Sequence, residues 1–230
     1  MTIIDDYLKL QEEQVKRFNE TTLLFMQVGH FYEAYAVDNA KEKSNADNVY
    51  RVADILNIQV TRKNKNIQEN SRGNPIMIGV NLFSIEKHTG ILMDAGYTLV
   101  IMEQIGDPPN ITREITRVYS PGTYLPAKTI GGAQSNYLLS VFLETSPSDN
   151  SRRMKNIGMS VIDFATGKSV TYEVYSKKSN NDFNYALDET FRFIQVYNPS
   201  EVIFMINDSP ENIQNIKEIS HTHLLNYLNL

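Results

Sequence analysis

Along the chain the apolar positions change period repeatedly, and each change marks an element. Ile4, Tyr7, Leu8, Val15 and Phe18 recur at roughly helical spacing behind Thr2 and Asp5, a capping-box pair, which predicts an amphipathic helix over 3–19. Residues 23–28 are a short apolar run bounded by Gly29 and read as a buried strand. The aromatic stretch 31–35 continues as a second strand or as a tight strand-to-helix corner. The pattern then predicts a helix over 37–56, broken near Ser44 and Asn45, a brief strand at 58–61 and a polar loop at 62–74. A strand at 76–80, a helix at 84–95 closed by Gly96, and strands at 97–103 and 114–119 around a turn at 106–109 complete the first half.

From Pro121 to Ser135 the chain holds two prolines and three glycines, the composition of a connector. A second alternation follows: strands at 137–144 and 157–164, a hairpin-like turn at 165–167, a returning strand at 169–174, a helix at 185–196, a strand at 202–206 and a helix at 210–219. The fold class is therefore α/β, with two mixed α/β domains at 1–125 and 137–230 and a linker at 126–136. No internal repeat or low-complexity tract interrupts them.

Composition narrows the functional classes. With 41% hydrophobic and 21% charged residues the chain has the make-up of a soluble globular protein. Its apolar runs are strand-sized, too short for a membrane span, and the N-terminus lacks the basic and apolar regions of a secretory leader. The absence of cysteine excludes disulfides and thiol catalysis and fits a reducing compartment. A net charge of −5 argues against general coating by nucleic acid, so any such contact has to be local. The one local excess of cations is Arg62, Lys63, Lys65 and Arg72, opposed by Glu69; taken alone it reads as a solvated loop.

Catalytic patterns are weak. Gly167-Lys168-Ser169 has the ending of a phosphate-binding loop, but Ile162 stands where the leading glycine belongs, and the segment lies between two strands. His221 and His223 with Glu218 lack a fourth metal ligand and read as surface residues. Asp163, Asp188 and Glu189 offer carboxylates for a nuclease-like site, yet at a spacing that matches no signature.

The stretch from Gln27 to Glu33 is different. It places an aromatic and a carboxylate two residues apart at the end of a buried strand, so Phe31 and Glu33 project from one face while Tyr32 points inward. A projecting phenyl ring can wedge into a base step from the minor groove, and a neighbouring carboxyl can bond an unstacked base. Such probing is selective because a mispaired step costs less to unstack and kink. Standing alone, Phe-x-Glu reads as core packing.

Its surroundings change that reading. Residues 24–35 (LFMQVGHFYEAY), Asp38-Asn39-Ala40, 56–62 (LNIQVTR), 76–80 (IMIGV), 96–108 (GYTLVIMEQIGDP) and 113–122 (REITRVYSPG) form six blocks whose order and spacing resemble the N-terminal region of the MutS family of DNA mismatch-repair proteins. The second half, with 157–169 (IGMSVIDFATGKS), is more loosely similar to that family's connector domain, which has a ribonuclease-H-like fold without known nuclease chemistry.

The resemblance implies that Phe31 stacks on the mispaired base, that Glu33 hydrogen-bonds to it, and that Arg62, Lys63 and Lys65 contact phosphate or the minor groove. It implies a mismatched double-stranded DNA partner, an intracellular, DNA-associated location and no membrane. No cofactor is expected within these residues. The ATPase with its ATP and Mg²⁺, and homodimer or heterodimer contacts, belong to other parts of the family's full-length proteins. Three departures stand out: His30 replaces the family's Asp, Asn81 replaces its Pro, and the loop after Arg62 is longer. Two other readings stay open: a head specialised for other DNA structures or partners, and a metal-dependent nuclease centred on Asp163.

Overall fold

A computed structural model describes residues 2–106, 110–126, 135–146, 154–176 and 185–207. The chain divides into two units, Met1–Pro126 and Ala127–Leu230, each with its own core. The elements expected at 210–219, the His221–His223 pair with Glu218, and most of the connector lie outside the described residues.

In the first unit, helix α1 (Ile3–Arg17) starts at Thr2, whose side chain and that of Asp5 satisfy each other's backbone N–H as a capping box. Strand β1 (Thr22–Val28) turns at Gly29-His30 into β2 (Phe31–Asp38). The helix expected over 37–56 is shorter. Val37 and Asp38 continue β2 and pair with the two-residue β3 (Lys43–Ser44). Asn39 turns the chain between them, its Oδ1 accepting from the backbone N–H of Lys41 and Glu42. That side chain offers the backbone a local alternative to helix. Helix α2 (Ala46–Leu56) begins only after Asn45, at φ 57°, and ends at Asn57, at φ 51°. Asn57 and Ile58 then donate back to Asp54 and Ala53 as a C-terminal cap. This cap takes Ile58 out of the strand expected at 58–61, and only Thr61 and Arg62 pair, as β4 (Thr61–Arg62).

Strand β5 (Ile76–Asn81), a 3₁₀ turn (Leu82–Ser84), α3 (Ile85–Asp94), β6 (Thr98–Ile105) and β7 (Thr112–Tyr119) complete the unit. The sheet order is β4-β5-β2-β1-β6-β7, with β3 beside β2; β1 and β6 are parallel and the other neighbours antiparallel.

The sheet opens like a fork between β1 and β2. They pair only where Met26, Gln27 and Val28 face Glu33, Tyr32 and Phe31. Beyond that point β1 has backbone groups without a strand partner on this side, and buried side chains serve them. Gln11 receives the Leu24 N–H on Oε1 at 2.7 Å and donates Nε2 to the Thr22 carbonyl at 2.7 Å. Tyr7 donates to the Leu24 carbonyl at 2.8 Å, and Asn48 of α2 to Thr22 at 2.8 Å. The polar helix residues Tyr7 and Gln11 are therefore buried with their hydrogen bonds made, as buried polar groups require.

The long loop between β4 and β5 is internally tied. Asn74, almost fully buried, accepts from the Asn64 N–H and donates to the carbonyls of Ile67 and Glu69. Arg72 bridges Asp5 of α1 and Glu42 of the β2–β3 turn. Arg72 is thus a strap between segments and is withdrawn from the cationic cluster.

In the second unit, β8 (Tyr137–Ser146), β9 (Met154–Asp163) and β10 (Ser169–Tyr175) form an antiparallel meander. After α4 (Tyr185–Tyr197), β11 (Glu201–Asn207) lies parallel to β8, giving the order β10-β9-β8-β11. Leu139, Val141, Ile157, Met159 and Val161 pack with Ala186, Leu187 and Ile194 of α4 in the core. Among the described residues no helix is long and apolar enough to cross a membrane.

Two stability effects follow. Gln11→Ala leaves the buried Leu24 N–H unpaired and is expected to cost about 2–3 kcal/mol in urea unfolding followed by circular dichroism. The second is a pH effect. The Asp5 carboxyl is held down at about 2 by the Thr2 backbone N–H, then by Arg72, and Glu42 is lowered by Arg72 and Ser44. Both are depressed on folding, so their contribution is present above the unfolded carboxylate values near 4 and is lost as pH falls towards 2. The urea midpoint should fall across that window, and Arg72→Ala should flatten part of the fall, the Thr2 share remaining.

Candidate nucleic-acid interface

The β1–β2 hairpin tip carries two of the candidate residues, Phe31 and Glu33. Val28 pairs with Phe31, so the loop is the two residues Gly29 and His30. Gly29 has φ +59° while His30 is not in the left-handed region, the pattern of a type II′ turn suited to the twist of a hairpin. Two glutamines pin this tip to β6. Gln104 accepts the Gly29 N–H on its Oε1 at 3.1 Å, and its own N–H donates to Gln27 Oε1 at 2.9 Å. On the other side the His30 carbonyl accepts from Leu82 at 3.0 Å. The tip is thus held from both flanks, and His30 is exposed at its end.

Strand alternation sorts the side chains that follow. Phe31 is 47% exposed, Tyr32 is buried and Glu33 is half-buried. Tyr32 points to the opposite face, where its hydroxyl donates to Glu103 at 2.8 Å and Arg117 lies alongside. Burial, then Glu103, pushes the Tyr32 phenol up to about 12. Burial pushes the Glu103 carboxyl up, but Thr116, Tyr32 and Arg117 outweigh it and leave it lowered. This inward network anchors β2 while Phe31 remains outside.

Glu33 faces Met26 on one side and Gly79 on the other. The bare backbone at Gly79 leaves the Glu33 side chain room; a Cβ built there would sit 3.6 Å from Glu33 Cγ. Glu33 Oε2 accepts a hydrogen bond from the Tyr35 hydroxyl. Asn81, opposite Phe31, uses its Oδ1 to accept the Phe83 N–H at 3.0 Å and so caps the 3₁₀ turn, which a proline could not do. Beyond it the Phe83 ring is 96% exposed.

The cations are placed apart from the tip. Arg62 pairs with Ile76, which pairs in turn with Ala36, so by register Arg62 belongs to the opposite face from Phe31 and Glu33. At about 4.8 Å between strands and 3.4 Å per residue, its backbone lies roughly 20 Å from Phe31. Arg62, Lys63 and Lys65 are exposed, and among the described residues none forms an ion pair. Their distance from the tip was not legible in the sequence. Neither was the partnership of Gln27 with Gln104, whose positions are far apart along the chain. Tyr35, by contrast, follows from the same two-residue period as Phe31 and Glu33 and was overlooked.

In the second unit Asp163 is buried and accepts from the Asn136 N–H at 3.1 Å, the Ala165 N–H at 2.9 Å and the Thr166 hydroxyl at 2.8 Å. Burial raises its carboxyl, but these bonds outweigh it and hold it below the ordinary range. Its acceptor sites thus close the β9–β10 hairpin. Glu189 pairs with Arg192 on α4. Among the described residues no three His, Asp or Glu side chains are grouped to hold a metal ion.

The first unit thus fixes an exposed aromatic and a carboxylate side by side on a pinned hairpin. A family model described as MutS domain I matches residues 8–128. The mutS homolog of Acanthamoeba polyphaga mimivirus is 35% identical over 221 residues, covering 94% of this chain and 19% of that protein. DNA mismatch repair protein MutS of Staphylococcus aureus (strain JH9) is 30% identical over 226 residues, covering 96% of this chain and 21% of its own length. DNA mismatch repair protein MutS 2 of Haloarcula marismortui is 29% identical over 195 residues, or 83% and 17%. The chain belongs to the MutS family, and it spans about a fifth of the length of these relatives.

Proposed function

We propose that this chain is the DNA-probing part of a MutS-like mismatch-repair protein, recognising mispaired or deformable duplex by inserting Phe31 at a base step while Glu33 bonds the base. The observation that carries this reading is the half-exposed Phe31 ring beside Glu33, on a hairpin tip held from both flanks. Leaving a phenyl ring in water costs roughly 2 kcal/mol of forgone burial, a cost that a stacking partner removes. Selectivity then resides in the duplex, because a mismatched step unstacks and kinks at lower cost. Phe83, exposed next to the same end of the sheet, widens the apolar surface available to a groove.

Arg62, Lys63 and Lys65 serve as phosphate contacts in this proposal. With the Arg62 backbone roughly 20 Å from Phe31, that contact falls about six base pairs from the probed step, given a rise of 3.4 Å per pair. They position the duplex without reading it. The meander with a helical crossover to a parallel fourth strand supports reading the second unit as a ribonuclease-H-like connector domain. Asp163, engaged in its own hairpin, favours a structural role there over a nuclease site. The ATPase, with ATP and Mg²⁺, and the dimer contacts are assigned to other parts of the whole protein, so this stretch acts as a sensor without catalysis.

In the intact polypeptide that contains this chain, Phe31→Ala is expected to lower the preference for a G·T duplex over its matched counterpart by about tenfold or more, with matched binding little changed. Fluorescence anisotropy on the two duplexes checks this, and an unchanged preference refutes the wedge. Replacing Lys63 and Lys65 together by Ala should weaken both duplexes alike and reduce the slope of log K against log salt by about 1.8.

A further inference from the structure

We propose that Tyr35 is a positioning residue for Glu33: its hydroxyl ties down Oε2 of the carboxylate and presents Oε1 to the probed base. The inference rests on the reading of Glu33 as the base contact. Tyr35 lies two residues on from Glu33 along β2, on the same face, and donates to Oε2. Among the described residues Glu33 Oε1 accepts no hydrogen bond. The carboxylate is therefore divided, one oxygen held by the protein and the other left to a ligand.

The tether is rigid because Tyr35 is rigid. Its ring is buried and meets Tyr7 edge-on, with centroids 5.1 Å apart. Its carbonyl is fixed by Asn45 Nδ2 at 2.9 Å. Gly79, opposite Glu33, leaves space for the acid side chain on this face of the sheet. Without the hydroxyl, the carboxylate would rotate among several orientations and lose part of its contact energy in being ordered on DNA.

Electrostatics keep the donor in place across the working pH range. Burial, then Glu33 and Tyr7, push the Tyr35 phenol far above its ordinary value, and Arg113 only partly offsets them. Tyr35 thus stays a neutral O–H donor wherever Glu33 is ionised. Arg113 of β7, paired with Gln104 of β6, belongs to the same sheet face as Glu33, and its Nε is buried without a hydrogen-bond partner. An ionised carboxylate oxygen only accepts, so a presented Oε1 selects a base with a free N–H. A mispaired, unstacked base frees an imino or amino N–H that a matched pair keeps engaged. Tyr35 therefore contributes to mismatch selectivity without touching DNA.

A double-substitution cycle on Glu33→Gln and Tyr35→Phe tests this in the intact polypeptide, reading the ratio of G·T to matched-duplex affinity. Tyr35→Phe keeps the ring and removes only the hydroxyl. The expected result is a loss of about tenfold in the ratio, the equivalent of one well-placed hydrogen bond, and less than about twofold when Glu33 is already Gln. Tyr97→Phe, which removes another buried hydroxyl of the same core, controls for general loosening and should leave the ratio unchanged. Equal effects of Tyr35→Phe in both backgrounds, or an equal loss in Tyr97→Phe, overturn the positioning role. If Tyr35→Phe does not fold, the infrared C–O stretch of isotopically labelled Tyr35 replaces it. That band should shift on Glu33→Gln, and an unmoved band overturns the proposal. Phe31→Ala run beside these separates the two failures. If it preserves the ratio, the DNA-probing reading falls; if it abolishes the ratio while Tyr35→Phe does nothing, only the present inference falls.

Discussion

The first unit depends on how the unpaired half of β1 is satisfied. This strand lies in the middle of the sheet, parallel to β6, yet it meets β2 over only three residue pairs. A buried strand edge without partners is not tolerated, since each unpaired N–H or C=O forfeits the hydrogen bond that water had supplied. Tyr7 and Gln11 from α1, with Asn48 from α2, act as the missing neighbour. Their hydrogen bonds fix α1 along the opening and let β2 diverge towards β5 without breaking the sheet. The short shared ladder at the other end is where the hairpin tip forms.

The tip is held still although it carries an exposed ring. A phenylalanine on a loose loop would fold back onto the nearest apolar surface. Here Gln104 and Leu82 grip the turn from two sides, and the buried Tyr32 locks the register, so Phe31 is carried outward by strand alternation itself. One residue of slip would exchange Tyr32 for Phe31 and bury the wrong ring. The Tyr32–Glu103–Arg117 network opposes that slip, because it would leave a partly buried carboxylate without its hydroxyl partner.

Charge is organised by the same economy. The chain is acidic overall, and Arg72 and Arg117 are engaged with carboxylates. The cations without an ion pair among the described residues include Arg62, Lys63 and Lys65, on and just after the edge strand β4. Phe31 at the hairpin tip and these cations therefore occupy different ends of the sheet.

Much of this was written locally in the sequence. The capping box at Thr2, the two-residue period from Phe31 to Tyr35, and the glycines at 29 and 96 specify helix, strand and turn through interactions a few residues long. The ordered motif blocks gave the family and marked Phe31 and Glu33. Local signals misled where a side chain competed with the backbone. Asn39, Asn45 and Asn57 cut short the helix and the strand that the apolar pattern suggested, because asparagine accepts left-handed and turn geometries that composition alone does not weigh. Tertiary structure alone decided which polar groups found each other: Gln11 with β1, Gln27 with Gln104, Arg72 with Asp5 and Glu42. It also decided that Phe31 stays outside. Exposure is a property of what the remainder of the chain covers, and no spacing within a tripeptide carries that information.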